Sequence, residues 1–121
     1  MFHLHSKLKY FLYPAPVDMR KSFYTLSGII KSEMKRDVQN GEVFIFVNRR
    51  LTTMKILHLE HGGLVIYHKK LDGGVFKLPS FDESLLSHAI GWHDLMMIVK
   101  NVKPRKRVLK RRQKEASFQV F

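Results

Sequence analysis

Residues 41–71, GEVFIFVNRRLTTMKILHLEHGGLVIYHKKL, carry the clearest alternation of apolar and polar positions in the chain. Val43, Ile45 and Val47 alternate with Phe44 and Phe46, so both faces of this stretch are apolar, as in a central strand covered on both sides. Residues 54–60 and 64–70 flank Gly62 and Gly63, a pair able to take the positive φ angles of a two-residue hairpin turn. Three consecutive antiparallel strands follow. With Gly62 and Gly63 as the turn, Leu59 faces Ile66, His58 faces Tyr67 and Lys55 faces Lys70. Like charges directly opposite are unfavourable. With Lys69, Arg49 and Arg50 near the same end of the ribbon, Lys55 and Lys70 are either relieved by an anion or splayed apart as solvated rim charges.

Upstream, an apolar run over residues 8–13 predicts a first strand, stopped by Pro14 and Pro16. Asp18 is placed to cap a helix whose apolar stripe is Met19, Phe23, Leu26, Ile30 and Met34. Arg20, Tyr24, Ser27, Lys31 and Lys35 line the opposite side, a basic face that either follows phosphates or is the ordinary polar side of an amphipathic helix. Gly28 in mid-helix predicts close packing against the sheet. Downstream, residues 75–78 offer a short segment ended by Pro79, residues 87–90 a short strand, and residues 92–102 a second helix with Trp92, Leu95, Met96 and Val99 inward. Met97 and Ile98 widen its apolar surface, for a partner chain or for burial under the first strand. The predicted architecture is a single α+β domain over residues 1–102. It has a twisted antiparallel sheet of about four to five strands, one long amphipathic helix packed on it and a second C-terminal helix.

Composition sharpens this picture in one respect. The 121-residue chain is 45% hydrophobic with nine Phe, enough for one core, but its formal charge is +12. Residues 103–121 hold eight of the 22 Lys and Arg and one of the 10 acidic residues, which leaves 14 basic against nine acidic residues, or +5, on the body. The tail, with Arg105, Lys106, Arg107, Lys110, Arg111 and Arg112, has too few apolar groups for a core of its own and is expected to be flexible. A field of this sign favours nucleic acid, an anionic surface or an acidic protein. No segment approaches the ~20 apolar residues of a membrane span, and a soluble, cytoplasmic protein without membrane contact is expected.

Candidate chemistry is sparse. With no Cys, disulfides, thiolate zinc sites and a Cys nucleophile are excluded. No Ser or Thr is marked by a His and an orienting carboxylate, and Asp18, Asp37, Asp72, Asp82 and Asp94 are scattered over caps and turns rather than convergent. His58 and His68 fall on opposite faces of the hairpin, against a three-His metal site with His61. The Gly-Gly pairs lack the following helix and Lys of a phosphate loop. No cofactor and no metal are expected. Basic faces bearing aromatics, plus a basic tail, are the footprint of a nucleic-acid binder that contacts mainly phosphates.

The ordered set Asp18-Met19-Arg20-Lys21-Ser22-Phe23, Val43 to Arg50 (VFIFVNRR), Met54-Lys55-Ile56-Leu57 and Lys69-Lys70-Leu71, followed by Gly74-Val75-Phe76 and Pro79, resembles the TnpB accessory proteins. These are encoded by the second reading frame of bacterial insertion sequence 66 elements. The resemblance covers residues 8–102. It implies a non-catalytic protein needed for efficient transposition beside a separate transposase. DNA and that transposase are the implied partners, and the oligomeric state stays open. Nucleic-acid contacts are expected from Arg20, Lys21, Arg49, Arg50, Lys55, Lys69, Lys70 and the tail. In the alternative, the protein docks on the transposase through residues 96–98, and the charge serves only recruitment to DNA.

Overall fold

The computed structural model describes residues 4–80 and 84–100. The basic tail and its candidate contacts Arg105, Lys106, Arg107, Lys110, Arg111 and Arg112 lie outside the described residues, as does the predicted end of the second helix.

Five strands form one sheet in the order β4-β3-β2-β1-β5: β1 Tyr10–Leu12, β2 Val43–Val47, β3 Thr53–Glu60, β4 Gly63–Lys70 and β5 His88–Ile90. Helix α1, Phe23–Ser32, lies between β1 and β2 in the chain, and α2, Trp92–Lys100, follows β5. The fold is α+β, as the pattern implies, but the sheet is mixed. β1 pairs parallel with β2, Tyr10 beside Val43 and Leu12 beside Ile45, because a strand, a helix and a returning strand form a crossover that leaves neighbours parallel. The other neighbours are antiparallel. The segment after Gly74 contributes no strand among these five.

Each face of the sheet has its own core. Phe11, Phe44, Phe46 and Leu57 meet Leu26, Ile30 and Met34 of the α1 region. Tyr10, Leu12, Val43, Ile45, Val47, Met54 and Ile56 meet Leu95, Ile98 and Val99 of α2, with Phe76. All five residues of β2 are buried, which is why that strand reads as apolar on both sides. Trp92 packs on Tyr10, ring centroids 5.7 Å apart. Ile98, assigned from the sequence to a widened outer surface, is 2% exposed, whereas Met97 remains 46% exposed.

Four further expectations are corrected. The β3–β4 turn is His61 and Gly62, both with positive φ (50° and 80°), as a two-residue turn of the primed type requires. Gly63 is the first residue of β4, opposite Glu60, so Lys55 faces His68, and Lys70 faces Thr53. Moving the turn by one residue shifts the pairing by two, which keeps every side chain on its own face, so the apolar pattern could not distinguish the two registers. Helix α1 starts at Phe23 with Ser22 as N-cap and is 10 residues long; Asp18 belongs to a turn before it. Phe23, expected in the apolar stripe, is 44% exposed. Gly28 faces open space, with nothing within 4 Å of where a Cβ would stand, so it is not a close-packing glycine.

Candidate nucleic-acid interface

The Asn48-Arg49-Arg50 sequence joins β2 to β3. The Asn48 carbonyl accepts from the Leu51 amide (3.1 Å), closing a tight turn whose two central residues are Arg49 and Arg50. That diverts the carbonyl from the ladder, and the side chain takes its place: Asn48 Oδ1 accepts from the Thr52 amide at 2.9 Å and the Thr53 amide at 3.0 Å. Asn48 Nδ2 donates to Thr52 Oγ1 at 2.9 Å. Leu51 sits at φ 60°, an unusual conformation for a branched side chain. It is held there by its apolar contact with the α2-side core and by the Phe76 amide, which donates to its carbonyl at 2.7 Å. Both arginines are therefore exposed on a rigid tip, and neither has an acidic partner among the described residues.

Residues 17–21 run beside this tip. The Val17 amide donates to the Val47 carbonyl at 2.9 Å, which sets Pro16, Val17, Asp18 and Met19 against Asn48, Arg49 and Arg50 around an open groove of about 450 Å³. Asp18 Oδ1 accepts from the Arg20 amide at 2.9 Å, and the Arg20 guanidinium closes on the carboxylate at 2.7 Å. The Arg20 partner holds the Asp18 carboxyl well below the usual carboxylate range and raises Arg20 in turn. Arg20 is thus already paired, although its side chain is 90% exposed.

The remaining cations separate by environment. Lys55 is 8% exposed, and its ammonium donates to the Lys21 carbonyl at 2.7 Å. It is a tether that fixes the segment before α1 over β3, on the same face as Phe46. Lys21 itself is exposed, and Lys70, opposite Thr53, is exposed on that face. Lys69 points to the other face, where it donates to the Val99 carbonyl near the end of α2 at 3.4 Å. So the fold brings Arg20, Lys21, Arg49, Arg50 and Lys70 to one end of the sheet on the α1 side, sets Lys55 behind them and sends Lys69 elsewhere. The pattern of apolar and polar positions gives no hint of the role of Asn48. The signal that could have found it is an Asn at a strand end before two arginines, since Asn side chains imitate backbone acceptors in turns.

The histidines do not converge. His58 is buried, with Nδ1 3.2 Å from Glu60 Oε2 and Nε2 3.2 Å from the Gly41 carbonyl. Tyr67 donates to the same Glu60 oxygen at 2.7 Å, so these groups tie β3 to β4 and to the start of β2. His68 lies on the opposite face, across from Lys55. Among the described residues no group of three or more His, Cys, Asp or Glu is placed to hold a metal ion, and no helix is long and apolar enough to cross a membrane.

The family model for IS66 Orf2-like proteins matches residues 8–108. The chain belongs to the IS66 Orf2-like family. A curated relative, the uncharacterized protein y4jC of Sinorhizobium fredii (strain NBRC 101917 / NGR234), is 25% identical over 71 residues, which cover 59% of this chain and 61% of the relative. No solved structure matches. The family match includes β1 to α2, and with them the Asn48-Arg49-Arg50 tip and the segment that lies beside it.

Proposed function

We propose that this protein is a non-catalytic accessory factor in transposition that holds DNA of its element through phosphate contacts, acting in the cytoplasm beside a separate transposase. The observation that carries the reading is the pair of unpaired arginines on a turn locked by Asn48. Two guanidinium groups on a rigid loop lose less conformational freedom on meeting phosphates than two on a flexible one, and planar guanidinium suits phosphate oxygens. Lys21 and Lys70 extend the positive surface. Arg20 joins it with its charge offset by Asp18, Lys55 acts as a support, and the tail residues Arg105, Lys106, Arg107, Lys110, Arg111 and Arg112 add long-range attraction.

Anisotropy of labelled duplex DNA across a salt series tests this. Each phosphate contact contributes a log-log slope of about −0.9, so replacing Arg49 and Arg50 by Ala makes the slope shallower by about 1.8. Changing the six tail cations to Gln weakens binding without removing the contribution of the tip. Affinity that ignores salt, or a tip variant with an unchanged slope, would refute the reading.

A second reading is favoured by a different observation. Met97, Leu85 and Leu86 are exposed, and Met97 borders a groove of about 500 Å³ with Leu78, Pro79 and His93. This surface suits docking on the transposase, with the charge serving recruitment to DNA. Loss of transposase co-purification in a Met97→Asp variant that still binds DNA would support it.

A further inference from the structure

Two aromatic rings stand at the start of α1 with no core around them. Tyr24 is 93% exposed and Phe23 44% exposed. Among the described residues Tyr24 makes no ring contact and no hydrogen bond, so neither packing nor a polar tether explains a large ring held in water. Cations stand close by. Lys21 precedes the rings, and Met19, five residues before Tyr24, already borders the groove of Arg49 and Arg50. Five residues of chain span no more than about 18 Å, so rings and arginines lie within reach of one short ligand.

On its other side Tyr24 borders an open trough of about 640 Å³ shared with Thr25, Gly28, Lys31 and Ser32. Gly28, one turn after Tyr24, leaves its position empty out to 4 Å, and Ser32 Oγ folds back onto the Gly28 carbonyl at 2.7 Å, so nothing projects there. Ser27 and Ile29 complete walls whose exposed surface is mostly carbon, which suits the apolar faces of sugars and bases. The walls leave room for a sugar-phosphate backbone beside a ring. In duplex DNA the base faces are already stacked on one another, whereas a single strand presents them freely to aromatic side chains next to a basic groove.

We propose that Tyr24, with Phe23 beside it, is a stacking platform for an unpaired base, and that the ligand of the Lys21, Arg49 and Arg50 surface is single-stranded DNA. This rests on the phosphate-binding reading above and specifies its ligand. The adjacent cations hold the phosphates on one side of the ring, and Lys31 holds those that pass Gly28 on the other.

The test compares the full-length protein with its Tyr24→Ala and Tyr24→Phe variants by anisotropy, on labelled oligo-dT of about 20 nucleotides, longer than the largest single-fold sites, and on duplex of the same length. The unmodified protein should bind the single strand at least as tightly as the duplex. Tyr24→Ala should weaken oligo-dT binding at least about fivefold, the lower end of the effect of losing one stacked base, and Tyr24→Phe should restore it because it keeps the ring. Duplex affinity should stay within about twofold in all three. Tyr24 is 93% exposed, so all three should share one melting curve. Unchanged oligo-dT affinity in Tyr24→Ala, with duplex binding intact, overturns the platform and leaves the phosphate reading standing. Failure to bind either DNA overturns both.

Discussion

Replacing Asn48 by Ala removes the three side-chain hydrogen bonds that shape the Arg49-Arg50 turn, at 2.9, 2.9 and 3.0 Å. Their loss is unequal. Thr52 is half-buried and its amide and hydroxyl can turn to water, so each of those bonds is worth about 0.5–1 kcal/mol net. Thr53 is 6% exposed, so its amide is left unsatisfied away from solvent at about 1–2 kcal/mol. The expected destabilisation is about 2–4 kcal/mol, equivalent to a fall of roughly 8–25 °C in Tm for a domain of this size. Asn48→Asp separates the acceptor from the rest of the side chain. It keeps both amide bonds and loses only the donor to Thr52 Oγ1, whose hydroxyl can rotate and donate instead, so it should cost less than about 1 kcal/mol. Urea denaturation followed together by far-UV circular dichroism and by Trp92 fluorescence measures both, with unchanged m values showing that the folded and unfolded states are otherwise alike. Salt-series DNA binding well below the transition should show the Ala variant weakened although both arginines are present. An Ala variant within about 0.5 kcal/mol of the unmodified protein, or an Asp variant as damaging as Ala, would refute the claim that the carboxamide replaces the main-chain acceptor.

Gly28→Ala should stabilise the protein by about 0.5–1 kcal/mol, because the helical site is open and Ala restricts the unfolded chain; a lower thermal midpoint would show that the site is crowded after all. Stability should also fall at both ends of the pH range. Arg36 holds Glu42 at 2.8 and 2.9 Å while its guanidinium lies 3.8 Å above the Phe11 ring, and this pairing lowers the Glu42 pKa. A depressed folded-state pKa stabilises above the ordinary value of 4.5, and that contribution is lost as the pH falls through the folded value. Burial pushes the Tyr10 and Tyr13 phenols up to about 12 from 10.0. Their contribution is complete below pH 10 and disappears as the pH rises to about 12. Urea midpoints across pH check this, with Arg36→Lys, which lacks the planar fork, flattening the acid limb and Tyr10→Phe the alkaline one.

The elements were legible to different degrees. β2, the β3–β4 hairpin, the short strand before Trp92 and α2 all follow from local pattern, because a two-sided apolar strand and a 3.6-residue period are properties of consecutive residues. The segment before Phe23 misled because Asp18 satisfies its own turn, binding the Arg20 amide and guanidinium, as readily as it would cap a helix. The candidate cations were visible as residue types, but not their states. Arg20 is paired, Lys55 is buried under the Lys21 carbonyl, and Lys69 is turned towards α2, whereas Arg49 and Arg50 are left to solvent.

By itself the sequence determined the central strand, the two hairpin strands and the second helix, the central burial of β2, the positive charge and the lack of thiol chemistry, since each depends on composition or on near neighbours along the chain. Only the tertiary structure decided that β1 runs parallel to β2, that β4 pairs one turn position away from the obvious glycines, that Gly28 faces outward and that Asn48 locks the arginine turn. Those outcomes depend on backbone groups far apart in the chain competing for the same partners, and an alternation of apolar and polar side chains records which face a residue takes but not which partner its amide finds.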